Sequence, residues 1–255
     1  MAALGLAAFI TASSAQAQDI VFQMPQTITG DANLITPNGT TITEFDAIVP
    51  SVTTPQTVDG ITFNASSGAG GLTVGDSNIS LTLNSGSWTQ YNDNTPGTGN
   101  GNFTPLPTGP SVSAGFSSVV QEGVFSSGNA GTITLSGLTL GNTYDVQIFD
   151  RSNDGGATGG NAESTNLLSS NSVNIFDYQT DGTGQFVTGT FTATGTSEII
   201  DISSASGPFT PVIGAINVEQ LNAAAVPEPS TYALLLSGAL VALVFFNIRT
   251  RRTVS

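Results

Sequence analysis

Apolar and polar residues alternate with a period of two over most of the chain. Ile61 and Phe63 share one face, and Ile79, Leu81 and Leu83 alternate with Ser80 and Thr82. Ile133 and Leu135 alternate with Thr132, Thr134 and Ser136, and Tyr144, Val146 and Ile148 with Asp145 and Gln147. Val187, Gly189 and Phe191 alternate with threonines, and apolar positions recur at Ile199, Ile200, Ile202, Val212, Ile213, Ile216 and Val218. Successive side chains of a strand point to opposite faces, so this pattern predicts half-buried strands. Between residues 19 and 222 no helical period runs longer than two turns.

Gly141-Asn142, Asp181-Gly182 and Asn38-Gly39 separate the apolar runs. These are residue pairs that tolerate the positive φ of tight turns. Many short strands joined by such turns predict an all-β fold, a jelly roll or related β-sandwich. Two polar stretches, 92–110 and 153–166, read as long loops. No internal repeat and no linker divides the body, so residues 19–222 form one domain. Ser136–Phe149 with Asp150-Arg151-Ser152, together with Gln185–Phe191 and Pro211–Val218, resembles strands of exported bacterial jelly-roll domains, which are similar to galactose-binding-like folds. That resemblance implies a fold rather than an activity.

The two ends break the pattern. Residues 4–10 are apolar, small residues follow, and Ala15-Gln16-Ala17 supplies an Ala-x-Ala site. This is the arrangement of a secretory signal peptide over 1–17, cleaved after Ala17. No Lys or Arg precedes the apolar core, and the expectation is that a basic leader lies upstream of Met1. At the other end Tyr232–Ile248 carries no charge over 17 residues. As a helix it would reach about 26 Å at ~1.5 Å per residue, enough for a bilayer core. Arg249, Arg251 and Arg252 follow directly. Basic residues beside a span stay in the cytoplasm, which places the body on the far side. Two separate segments thus predict one topology.

Residues 223–226 form a short linker, and Pro227-Glu228-Pro229 precedes the span. A Pro-Glu-Pro motif, an apolar span and an arginine-rich tail in this order resemble the PEP-CTERM sorting signal, here over 227–252. Pro227, Glu228 and Pro229 match the motif residue for residue. The resemblance implies recognition by an exosortase, a membrane-embedded cysteine transpeptidase, with transfer of the chain to the cell surface or extracellular matrix of a bacterium that makes exopolysaccharide. Prolines lack the N–H that a helix or sheet would use, so the segment stays extended and open to an enzyme.

Composition narrows the chemistry. The 255 residues include 18 Asp and Glu, 4 Lys and Arg, no His and no Cys, for a formal charge of −14. All four basic residues are arginines. A chain of this kind has no Ser-His or Cys-His nucleophile pair, no His or thiolate metal site, no disulfide and no Schiff-base lysine. Its charge repels nucleic acid. Only Glu228 lies outside the body among the acids and only Arg151 inside it among the bases, which leaves the body strongly negative. Divalent cations are natural companions of such a surface.

Four groups of residues carry candidate chemistry. Asp150, Ser152 and Asp154 with Gly155 fit the start of a calcium loop, but Asn161 stands where a bidentate Glu belongs and no helices flank it. A turn whose Asp and Asn bond their own backbone is the plainer reading. Arg151 pairs with a nearby acid or holds a sugar or carboxylate. Trp88 and Tyr91 either stack on sugar rings or fill the core. Glu122, Glu163 and Glu198 are the glutamates a polysaccharide hydrolase or lyase would use, yet nothing in their spacing fixes a pair.

The expectation is therefore an exported, exosortase-sorted protein of the cell surface or matrix, non-enzymatic and associated with exopolysaccharide or biofilm. It is anchored in the inner membrane before processing. No cofactor is required, with calcium as an alternative. A calcium-assisted carbohydrate-binding module and a carboxylate-dependent hydrolase or lyase stand as the other two readings.

Overall fold

The computed structural model describes residues 20–35, 42–50, 54–66, 70–92, 112–120, 122–126, 130–150, 164–176, 184–204 and 211–221. The signal segment with Ala15 and Ala17, the motif Pro227-Glu228-Pro229, the span 232–248 and the arginines Arg249, Arg251 and Arg252 lie outside these residues. So do Arg151, Ser152, Asp154 and Glu163. Among the described residues no helix is long and apolar enough to cross a membrane.

In chain order the first strands are β1 (Val21–Phe22) and β2 (Gln26–Thr27), followed by a 3-10 turn at Asp31–Asn33. Then come β3 (Ile42–Val49), β4 (Gln56–Val58), β5 (Ile61–Ala65), β6 (Thr73–Gly75), β7 (Ile79–Leu83) and β8 (Thr89–Asn92). Helix α1 (Ala114–Val120) leads to β9 (Glu122–Phe125), β10 (Gly131–Ser136), β11 (Thr143–Asp150), β12 (Ser164–Leu168) and β13 (Ser172–Phe176). The last strands are β14 (Gln185–Thr192), β15 (Ser197–Ser204), β16 (Val212–Ile213) and β17 (Ala215–Leu221).

The fold is all-β and sandwich-like. An eight-stranded sheet has the order β1-β14-β11-β17-β3-β5-β4, with β2 also on β14; a six-stranded sheet has the order β13-β12-β15-β10-β7-β6; β16, β9 and β8 form a small third sheet. Among the described residues every pairing is antiparallel except β3 with β5. The main core fills the space between the large sheets. Ile48, Val146, Ile148, Val187, Ile216 and Val218 from one meet Ile79, Leu81, Ile133, Leu135, Ile200 and Ile202 from the other. These are nearly all positions marked by the period-two pattern. Ile199 is the exception: it lies on the outer face of β15 and is 54% exposed.

The eight-stranded sheet is also covered on its outer face. Ala47, Val49, Phe149, Phe186 and Ala215 pack there against Ile28, Leu34 and the Phe116, Val119 and Val120 side chains of α1. Burial on both faces explains the unbroken apolar runs at the ends of β3 and β11. The helix has only seven residues, too few for its i, i+3, i+4 apolar spacing to stand out in the sequence. Ser113 caps it by accepting the Phe116 N–H at 3.1 Å, and the Ser113 N–H donates in turn to Asp31 at 2.8 Å. Asp59 and Gly60, both with positive φ, make the two-residue turn between β4 and β5.

Candidate functional site

Asp150 ends β11 opposite Gln185 and is fully buried. Its Oδ2 lies 3.2 Å from the Thr165 hydroxyl, which accepts the Val212 N–H at 2.8 Å and sits 2.7 Å from the Val212 carbonyl. The carboxylate therefore faces the interior where β11, β12 and β16 meet. Trp88 is fully buried in the main core, and its Nε1–H donates to the Leu81 carbonyl at 3.1 Å. It packs the fold and presents no face to a sugar. Glu122 begins β9 opposite Asn92, and Glu198 lies on β15 opposite Leu135, so these two candidates belong to different sheets.

The structure draws together acids that the sequence pattern did not single out. On the outer face of the eight-stranded sheet, Glu219 of β17 stands across from Asp145 of β11 and from Glu44 of β3. Like charges directly opposite one another on adjacent strands repel. The Thr190 hydroxyl donates to Asp145 at 2.6 Å, and Glu44 accepts the Thr62 N–H at 3.2 Å. Glu219 is fully buried and neither of its carboxylate oxygens has a hydrogen-bond donor. Burial, reinforced by the Glu44 charge, pushes its carboxyl from 4.5 up to about 7, although the nearby Asn217 amide pulls the other way. One of the two Nδ2–H groups of Asn217 also donates to the Ile35 carbonyl, at 3.1 Å.

One residue along on the other face lies a second acidic pair. The register of β3 against β17 slips between Val218 and Glu219, so that Val218 faces Asp46, Glu219 faces Glu44, and Phe45 is the extra residue of a bulge. The bulge places both Phe45 and Asp46 toward the six-stranded sheet. Phe45 meets Tyr144 edge-on at 5.3 Å between ring centres. Asp46, 5% exposed, lies against Asp76 in the turn between β6 and β7. Its Oδ1 accepts the Asn64 Nδ2–H at 3.1 Å, and its Oδ2 has no donor. Burial and the neighbouring Asp76 raise the Asp46 carboxyl from 3.8 to about 7. Asp76 is exposed, and its Oδ1 accepts the N–H groups of Asn78 and Ile79, both at 2.9 Å.

Among the described residues no group of three His, Cys, Asp or Glu side chains converges to hold a metal ion. The signal that could have found the two acidic centres is an acid inside an apolar strand. Phe45-Asp46-Ala47-Ile48-Val49 and Ile216-Asn217-Val218-Glu219 each place one among otherwise apolar strand residues. No protein-family model, no curated protein and no solved structure matches the chain.

Proposed function

We propose that the chain is an exported, exosortase-sorted component of the bacterial cell surface or extracellular matrix, non-enzymatic and associated with exopolysaccharide. The observation that carries this reading is the order of the last 29 residues: Pro227-Glu228-Pro229, the uncharged stretch 232–248, then Arg249, Arg251 and Arg252. The arginines hold the tail on the cytoplasmic side. The signal segment ending at Ala17 directs the body to the opposite side, where the exosortase cuts near the Pro-Glu-Pro motif.

A jelly-roll body fits this destination, and the strand order supports it. Within the larger sheet the succession β3-β17-β11-β14 and within the other β10-β15-β12-β13 reproduce the interleaving of two Greek keys, in which the chain passes between the two sheets. The segment between β3 and β10 then supplies the additions: β4 to β9 and helix α1. A self-contained sandwich built on one core stays folded once the tail is removed.

Mass spectrometry of the protein from its native host tests the sorting. The mature form is expected to begin at Gln18 and to lack 232–255, and a strain without exosortase is expected to retain the full tail. A mature chain still ending at Ser255 overturns the reading. So does loss of the tail at an unchanged rate when Pro227, Glu228 and Pro229 are all replaced by alanine.

A further inference from the structure

We propose that Asp46 and Asp76 bind a divalent cation, with Ca²⁺ as the preferred ion, at the seam between the two large sheets. Asp46 comes from the β3 bulge of one sheet and Asp76 from the β6–β7 turn of the other, so an ion held by both ties the sheets together at one edge. Asp46 is 5% exposed, and its Oδ2 is buried without a hydrogen-bond donor. A buried carboxylate oxygen is seldom left without a partner, because desolvation is then uncompensated. Asp76 is held in place by the two backbone N–H groups on its Oδ1, with its carboxyl within hydrogen-bond reach of Asp46.

The two carboxyls lie within hydrogen-bond reach of one another and otherwise share a proton; a bound cation lets both ionise, and the chain itself has almost none to offer. It contains no Lys and no His, and no described residue carries a basic side chain. Asp76 is exposed and Asp46 is buried beside it, so the pair borders solvent on its Asp76 side. Only two carboxylates meet here, consistent with the absence of any three-acid cluster among the described residues. Hard cations complete such a shell with neutral oxygens and water. Asn64, whose Nδ2–H now donates to Asp46 at 3.1 Å, presents an amide oxygen after a half-turn of the same side chain. The site is separate from the Asp150 region and does not depend on how the chain is sorted.

Calorimetric titration of the full, EDTA-treated chain with CaCl₂ at pH 8, repeated with MgCl₂, tests the proposal. Thermal unfolding with and without 5 mM ion, on the order of a saturating concentration for an extracellular calcium site, is the second readout. The wild type is expected to bind Ca²⁺ more tightly than Mg²⁺ and to unfold at a higher temperature with Ca²⁺ present. Asp76→Asn, an exposed substitution that keeps the oxygen accepting the Asn78 and Ile79 N–H groups, is expected to weaken Ca²⁺ binding at least tenfold. It should also abolish the thermal shift while unfolding normally. Equal Ca²⁺ affinity in wild type and Asp76→Asn overturns the proposal, because the ion then sits elsewhere. Absence of any Ca²⁺ effect on the wild type overturns it as well.

Discussion

The Nε1–H of Trp88 donates to the Leu81 carbonyl at 3.1 Å in the interior between the sheets. Leu81 is in the middle of β7, paired to β10 on one side and β6 on the other. The indole thus fixes the chain just before β8 onto the six-stranded sheet. Trp88→Phe removes the donor, leaves a cavity and is expected to destabilise the protein by about 2–4 kcal/mol. Urea denaturation followed by circular dichroism measures it. Trp88 is the only tryptophan, so the emission of the wild type is expected to be blue-shifted and to move to the red in the same transition. A Trp88→Phe variant as stable as the wild type would show that the ring is not part of the core.

Glu219 makes stability depend on pH. Its carboxyl titrates at about 7 in the folded protein and at 4.5 ordinarily, because burial and the Glu44 charge disfavour the anion. Between these values the folded chain holds a proton that the unfolded chain has released. Stability from this group therefore falls as pH rises through that window, and the penalty is complete above about 7. Glu219→Gln removes it. The variant is expected to be more stable than the wild type at pH 8, by about 3 kcal/mol at most, with the difference shrinking toward zero near pH 4. Denaturant midpoints measured from pH 4 to 8 check this; a difference that does not change with pH would mean that Glu219 is ionised in the fold.

Gln147 shows why part of the architecture was legible in the sequence and part was not. The alternation of Tyr144, Val146 and Ile148 locates β11 and its inner face correctly, because period-two burial against one core writes itself directly into residue order. The same alternation assigns Gln147 to solvent, yet it is fully buried. A segment distant in sequence covers that face: Gln147 accepts the Ile35 N–H at 3.1 Å and donates to the Asn33 carbonyl. Outer-face burial, the buried Glu219 and helix α1 all arise from such long-range coverage, whereas Asp46 faces the inner sheet because of the β3 bulge. Periodicity within a strand carries no trace of what lies on its second face. The glutamates weighed from the sequence, Glu122 and Glu198, are on separate sheets, whereas Asp46 and Asp76 meet only through a bulge that shifts register by one residue.

The clamp made by Gln147 carries its own prediction. Its amide and the Asn217 N–H group, which donates to Ile35 at 3.1 Å, hold residues 33–35 over the outer face. Gln147→Ala leaves the Ile35 N–H and the Asn33 carbonyl without these partners. The expected loss is about 1–3 kcal/mol, with hydrogen exchange at Leu34 and Ile35 accelerated more than in β10 or β15. Uniform acceleration across the whole domain would show that the clamp is not a local element.

Gly189 decides whether the first strand can dock. A Cβ at this position would lie 2.5 Å from Ile20 Cγ2 and 2.8 Å from Phe22 Cδ1, closer than packed carbons approach. Ile20 and Phe22 are both buried in the main core. They are also tied to the turn after β12: the Ile20 N–H donates to Ser169 at 3.0 Å, the Phe22 N–H to Asn171 at 2.8 Å, and Asn171 donates back to Phe22 at 2.9 Å. The strand therefore bridges β14 of one sheet and the β12–β13 turn of the other, and it has no slack to move away from a new methyl group. Gly189→Ala is expected to destabilise the protein by about 1–3 kcal/mol through overpacking, and to do so by loosening residues 20–27 first. In the mature form proposed above only Gln18 and Asp19 would precede Ile20, and in that form the loosened strand would be open to protease at the terminus. Limited proteolysis should trim the variant at its N-terminus while the wild type resists. Equal resistance together with unchanged stability would mean that Ile20 and Phe22 do not depend on the missing side chain at Gly189.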